Sequence, residues 1–200
     1  MKNRLWLLGW ACLGSVLWLV MVFGLLGGDP AAAASLRVCA SGCPYTTVQV
    51  AIDASAPGDV IQIATGVYTG VVARGGLSQM AYITQNLTLR GGYSADFATW
   101  DPDLYPTTLD AEGGGRVIYT KGDITVTLEG LHLVNGYHSA SGAAVYAESV
   151  MLQVSDTVIA DNLVSPHDDG NYGVGLYIGG GSLTMRDSIV QENAPTPGGD

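Results

Sequence analysis

Charged residues are scarce in this chain of 200 residues, and basic residues are the scarcest. Only 13% of the residues are charged, and 8 Lys and Arg stand against 18 Asp and Glu, so the formal net charge is −10. Helical bundles carry many more Glu, Lys and Arg than this. No cluster of Lys or Arg occurs, which argues against nucleic acid and anionic membrane surfaces as partners.

Sequence signatures of catalysis are missing as well. The chain has no P-loop, no nucleophile elbow and no zinc motif. Its three histidines lack the spacing of metal ligands. The sequence therefore indicates no enzyme reaction for these residues, and no cofactor is expected apart from the calcium ion considered below.

One long apolar run occupies the N-terminus. Lys2 and Arg4 precede the uncharged residues 5–28, and Ala32-x-Ala34 satisfies the small-residue rule for cleavage of a signal peptide. The run also approaches the roughly 20 residues that span a bilayer. We interpret residues 1–34 as a signal peptide cleaved after Ala34 or as an uncleaved membrane anchor. In either case the remainder is expected outside the cell or on its surface.

Two of the three cysteines follow this leader. Cys39 and Cys43 form an even pair in an oxidising compartment, and Gly42 between them allows the chain to bend. The pair predicts a disulfide. The loop that it closes is short and gains little entropy, so the bond would act as a local brace.

Residues 35–58 are predicted to form an N-terminal cap with one short helix. Thr46-Thr-Val-Gln49 fits a capping box, and Val48, Ala51 and Ile52 follow at helical spacing. Pro57-Gly58 then predicts a turn. A helix with one apolar stripe before a series of strands suits a lid over the open end of a strand stack.

A repeat organises the rest of the chain. Residues 142–162 align with residues 173–193 without a gap, at an offset of 31, with Tyr, Leu, Asp and Asn at identical positions. An earlier copy between residues 117 and 136 fits after a slip of one residue. The copies alternate with a period of two and contain Gly, which excludes helical repeats. The pattern predicts an all-β solenoid, a parallel β-helix over residues 59–200, in which equivalent residues stack about 4.8 Å apart.

Several segments resemble a known group of proteins. Residues 38–68, with Cys-Ala-Ser-Gly-Cys and Pro-Gly-Asp-Val-Ile-Gln-Ile, are similar to the opening of bacterial pectin-lyase-like right-handed parallel β-helix proteins. The Gly-Ala-Ala-Val-Tyr and Ile-x-x-Asn elements resemble repeats of polymorphic outer-membrane passenger domains. The resemblance implies a right-handed β-helix that is incomplete at residue 200, an N-terminal fragment. It is weak for function, because this fold hosts lyases, hydrolases and adhesins.

Aromatic residues are the first candidates for a binding site. Alternation along the Gly-rich strand separates an apolar set from a tyrosine set, and the tyrosines are predicted to form an outward ladder. Aromatic faces can stack on sugar rings, although Tyr also suits an exposed strand for no further reason. The tyrosine set consists of Tyr119, Tyr146 and Tyr177.

Acidic residues are the second candidates. Asp156 and Asp187 occupy equivalent positions, and stacked carboxylates repel unless a cation, a proton or a turn N–H relieves them. Ca²⁺ binding and ordinary turn capping are the two interpretations. As a glycosidase pair they fit poorly, because carboxyl groups on adjacent rungs lie closer than the 6.5–9.5 Å or so that inverting enzymes need.

Three functional hypotheses follow from the sequence. The first is a secreted or cell-surface β-helix that binds polysaccharide or another cell surface. The second is a polysaccharide lyase or glycoside hydrolase whose catalytic coils lie beyond residue 200. The third is a purely structural stalk.

Overall fold

The computed structural model describes residues 32–165 and 173–196. Of the predicted leader, only Ala32, Ala33 and Ala34 fall within these ranges. The described residues are mostly β-strand, with parallel sheets and one short helix, as the all-β prediction requires. None of their helices combines the length and apolar character needed to cross a membrane.

Sixteen strands and one helix make up the described residues. In chain order they are β1 (Ser35–Val38), α1 (Val48–Ala54), β2 (Val60–Ala64), β3 (Gly66–Thr69), β4 (Val72–Arg74), β5 (Leu77–Ile83), β6 (Leu87–Tyr93), β7 (Thr107–Asp110), β8 (Arg116–Glu129), β9 (His132–Val134), β10 (Tyr137–His138), β11 (Val145–Ser155), β12 (Val158–Ala160), β13 (Leu163–Val164), β14 (Leu176–Arg186), β15 (Ile189–Gln191) and β16 (Ala194–Pro195).

These strands form three sheets. Sheet A has eight strands and follows the order β1-β2-β6-β8-β11-β14, with β5 beside β8 and β4 beside β5; sheet B follows β15-β12-β9-β7-β3, and sheet C follows β10-β13-β16. Every strand pair is parallel except the hairpin of β4 and β5. Successive copies of the repeat each contribute one strand to each sheet.

The register of the sheets confirms the spacing of the repeat. Leu152 pairs with Leu183 across β11 and β14, 31 residues apart in sequence. The earlier copy pairs with β11 after a shift between Glu148 and Val150, where the sequence requires a slip of one residue. Because the pairing is parallel and in register, equivalent side chains lie on one another.

The core consists of the residues that alternate inward along sheet A and of their equivalents in sheet B. Leu152 is 1% exposed, whereas its equivalent Leu183 in the last described copy is 39% exposed. Val190 of sheet B is likewise half exposed, although Ile159 beside it in the previous copy is fully buried. Burial therefore depends on having a neighbouring copy on both sides.

The corners between sheets require left-handed backbone at fixed positions. Strands β8, β11 and β14 end at paired positions, and the residue after each end has a positive φ. These residues are Gly130, Asp156 and Asp187, with φ values of 64°, 50° and 49°. Gly and Asp tolerate this conformation best. The turn at Gly130 separates the end of β8 from the start of β9.

Asparagines at the second corner, which the repeat places at equivalent positions, form a hydrogen-bonded ladder. The Asn162 Nδ2 group donates to Asn193 Oδ1 at 2.8 Å. The residues with left-handed backbone at this corner are the preceding Asp161 and Glu192. The asparagine side chains point inward because they bond to backbone groups of the neighbouring strands.

The disulfide prediction is confirmed. Cys39 and Cys43 are joined, and the Cys39 N–H donates to the Tyr45 carbonyl at 3.1 Å. The bond holds the turn between β1 and α1, next to the bridge between Val38 and Tyr45. It thus acts on a short local segment.

The capping helix forms, but the predicted capping box is wrong. Its N-cap is Thr47, which makes no side-chain cap bond. The Gln49 side chain is buried instead and bonds to the backbone of Tyr82 in β5: its Oε1 accepts from the Tyr82 N–H at 2.7 Å, and its Nε2 faces the Tyr82 carbonyl at 3.5 Å. The Gln49 amide therefore pairs with backbone groups of β5 that would otherwise need the backbone of a neighbouring strand.

Replacing Gln49 with leucine is expected to lower the free energy of unfolding by about 1–3 kcal/mol. The Tyr82 N–H would be left without an acceptor in a buried position, and that is the usual cost of such a loss. Urea denaturation would measure the change. Gln153→Leu, at an exposed position on β11, serves as the control and should change stability by less than about 0.5 kcal/mol. Equal effects of the two substitutions would contradict the role of Gln49.

Candidate functional site

Four tyrosines form one stacked column on sheet A, which we call the tyrosine column. Tyr82, Tyr119, Tyr146 and Tyr177 occupy paired positions in β5, β8, β11 and β14. Their ring centroids are separated in turn by 5.4, 5.3 and 4.9 Å, with interplanar angles of 6°, 2° and 22°. The three predicted tyrosines thus lie together, and the structure adds Tyr82.

The sequence repeat did not reveal Tyr82 because the spacing to the next tyrosine is different. Tyr82 precedes Tyr119 by 37 residues, whereas Tyr146 precedes Tyr177 by 31. The connection from β5 to β8 contains β6, β7 and a long loop. A usable signal was the local alternation, since Ala81 and Ile83 are buried on either side of Tyr82.

Because the rings stack on one another, few ring faces of the tyrosine column are open to a ligand. Each inner ring has another ring against both of its faces, in the offset arrangement that aromatic pairs favour. Tyr119 is only 7% exposed, and the other three rings are half-buried. The column therefore presents ring edges and hydroxyl groups, and not the row of open ring faces that the sequence predicted for sugar stacking.

Arg116 lies against two rings of the tyrosine column, Tyr119 and Tyr146. Its guanidinium carbon lies 4.7 Å from the Tyr146 ring centroid and 5.8 Å from that of Tyr119, and the residue is 3% exposed. Both distances are within the roughly 6 Å at which a cation is attracted to an aromatic ring. Burial lowers the pKa of Arg116 to about 10, an effect that the two tyrosines oppose, so the group is charged at neutral pH.

The loop after β10 is held against the column by the same arginine. Arg116 donates to the carbonyls of Ser141 and Gly142 and to Nδ1 of His138 at 3.0 Å. The Ala140 N–H donates to that Nδ1 as well. Burial, and then the neighbouring Arg116 charge, lower the pKa of His138 to about 4. His138 is therefore neutral above this pH and can serve as the acceptor.

A shallow, open hollow lies on the other side of the column. Its volume is about 400 Å³, and it is lined by Thr84, Lys121, Gly122, Glu148 and Ser149. Thr84, Lys121 and Glu148 each follow a column tyrosine by two residues, so they share its side of the sheet. Burial and then the Glu148 charge raise the pKa of Tyr146. Lys121 and Glu148 are register partners, so an ammonium and a carboxylate group lie on neighbouring strands on the same side of the sheet as the phenols.

The two candidate calcium ligands lie at a corner instead. Asp156 and Asp187 are the left-handed turn residues described above, and the Asp156 N–H donates to the Arg186 carbonyl. Within residues 32–165 and 173–196, no group of three or more Asp, Glu, His or Cys side chains is placed to hold a metal ion. Their backbone conformation accounts for acidic residues at these positions.

Comparison of the chain with protein-family models, with curated proteins and with solved structures finds no match. The resemblance to pectin-lyase-like proteins consequently stays a prediction from the sequence.

Proposed function

We propose that this chain is part of an exported right-handed parallel β-helix that binds a polysaccharide along the tyrosine column. Three parallel sheets receive one strand each from successive copies of the repeat, which is the arrangement expected for the three walls of such a helix. The apolar leader and the disulfide between Cys39 and Cys43 support export.

The observation that carries the binding proposal is the tyrosine column beside the open hollow that Lys121 and Glu148 line. Phenol hydroxyls both donate and accept hydrogen bonds, Lys121 donates, and Glu148 accepts. The phenol hydroxyls recur at the strand spacing of about 4.8 Å along the sheet, and Lys121 and Glu148 are register partners beside them. An extended ligand with regularly repeated hydroxyl groups is the ligand class that such a row fits. Contact at the inner rings would occur at ring edges and hydroxyls, since the faces of those rings are occupied.

Removal of two phenol hydroxyls is expected to weaken glycan binding about tenfold. The double variant Tyr146→Phe with Tyr177→Phe keeps the stacked rings and loses two hydrogen-bonding groups, each of which contributes about 0.5–1.5 kcal/mol. A glycan array would identify a ligand for the exported protein, and titration calorimetry would compare the variants. Tyr105→Phe, in the loop before β7, is the matched control and should bind like the unmodified protein. Binding to no glycan, or equal binding by the double variant, would refute the proposal.

A further inference from the structure

Ala34 is held in place by both of its backbone groups. Its N–H donates to Oδ1 of Asp59 at 2.8 Å, and its carbonyl accepts from the Val60 N–H at 2.9 Å. The next residue, Ser35, begins β1 and pairs with Val60. Ala34 therefore belongs to the folded edge of sheet A, although the small-residue rule allows the leader to end after it.

The carboxylate that accepts from the Ala34 N–H belongs to a buried residue, Asp59. The residue is 6% exposed. Its second carboxylate oxygen accepts from the Ala56 N–H at 2.8 Å. Among the described residues the ion pairs are those of Arg74 with Asp53 and of Arg90 with Glu129, so no Lys or Arg side chain there neutralises Asp59. A buried carboxylate without a cation is costly unless another positive group reaches it.

We propose that the leader is cleaved between Ala33 and Ala34, and that the new α-ammonium group of Ala34 pairs with Asp59. Ala31-x-Ala33 satisfies the small-residue rule as well as Ala32-x-Ala34 does. In the cleavage, water hydrolyses the Ala33–Ala34 amide: the C–N bond breaks, the water oxygen joins the Ala33 carboxylate, and the Ala34 nitrogen becomes protonated. That nitrogen is the atom already 2.8 Å from Asp59 Oδ1.

The neighbouring cleavage sites are less consistent with the structure. Cleavage after Ala34 would remove the residue that bonds to Asp59 and Val60. Cleavage after Ala32 would leave an uncharged amide at Ala34. Only a chain that begins at Ala34 places a positive charge on the atom that Asp59 binds, because a free α-amino group has a pKa of about 7.7–8.0 and is largely protonated at neutral pH.

This inference depends on the export proposed above, and the first experiment separates the two. The full chain is expressed in a bacterial host, and the exported product is analysed by intact mass and N-terminal sequencing. A product that begins at Ala34 is expected. An exported product that begins at Ser35 or Ala33 would overturn the inference while leaving export intact. A chain retained in the cell with its leader uncleaved would contradict both.

A double-mutant cycle tests the ion pair itself. A host signal peptide is placed directly upstream of Ala34 or upstream of two additional residues, Gly-Ser, that precede Ala34. Asp59→Asn is introduced into each mature protein, and unfolding is followed in urea. We expect the substitution to raise the unfolding equilibrium constant about tenfold more in the protein that begins at Ala34, the equivalent of one pKa unit. An equal effect in both proteins would mean that no pair with the α-ammonium forms.

Discussion

Replacing Asn162 with alanine is expected to lower the free energy of unfolding by about 4 kcal/mol. The side chain is fully buried, and its polar atoms lie within hydrogen-bonding distance of four groups. Its Oδ1 accepts from the Gly136 N–H, and the two hydrogens of its Nδ2 are shared among the carbonyls of Leu133 and Ala160 and the Oδ1 of Asn193. Alanine leaves several of these groups buried without a partner, and each such group costs about 1–3 kcal/mol. Urea denaturation would measure the loss of stability, and the m-value is expected to stay unchanged.

The matched control for this prediction is Asn193→Ala, one copy further along the same ladder. Asn193 makes similar bonds but is half-buried, so water can replace part of what is lost. We expect it to lower stability by about 1 kcal/mol. If the two variants were equally stable, burial would not be what makes the ladder strong.

Replacing Leu152 with alanine is expected to lower the free energy of unfolding by about 3 kcal/mol. Leu152 is 1% exposed and lies between Val126 and Leu183 in register. Its truncation removes apolar contacts on both sides and leaves a cavity, for which Leu→Ala costs range over about 2–5 kcal/mol. Thermal or urea unfolding would measure the effect.

Leu183→Ala is the control for this second prediction. It is the same substitution at the equivalent position in the last described copy, where the side chain is 39% exposed. A loss of about 1 kcal/mol is expected, because less apolar surface returns to water. A loss as large as that at Leu152 would show that Leu183 is covered in solution by something outside the described residues.

Local patterns predicted the parts of the fold that depend on near neighbours. The alternation of apolar residues placed the strands, and the offset of 31 residues placed Leu152 on Leu183 and Tyr146 on Tyr177. Cys39 and Cys43 are four residues apart, so their disulfide was also open to prediction. In each case the spacing in the sequence predicts which residues lie close together. Equal spacings place equivalent residues on neighbouring strands, and the short spacing of the cysteines keeps their sulfurs near each other.

Contacts between residues that are not separated by the repeat spacing could not be predicted in this way. The capping-box prediction assigned Gln49 to its own helix, whereas its amide bonds to Tyr82, 33 residues later. The turn at Gly130 could not be told from the strand before it, because Gly is compatible with a strand pattern as well as with a corner. The burial of Arg116 against Tyr146 depends on a loop from the next copy.

By itself, the sequence determined an all-β chain of repeated strands with a braced N-terminal cap, because periodicity and cysteine spacing act over short distances. Only the tertiary structure decided which groups meet: the inner tyrosine rings are stacked on both faces, and the Asp59 carboxylate accepts from the N–H of Ala34. The physical reason is that strand pairing brings together residues that are far apart in the sequence, and the number of residues between them differs from one copy to the next. No local pattern records the partner of a buried charge or amide across such a distance.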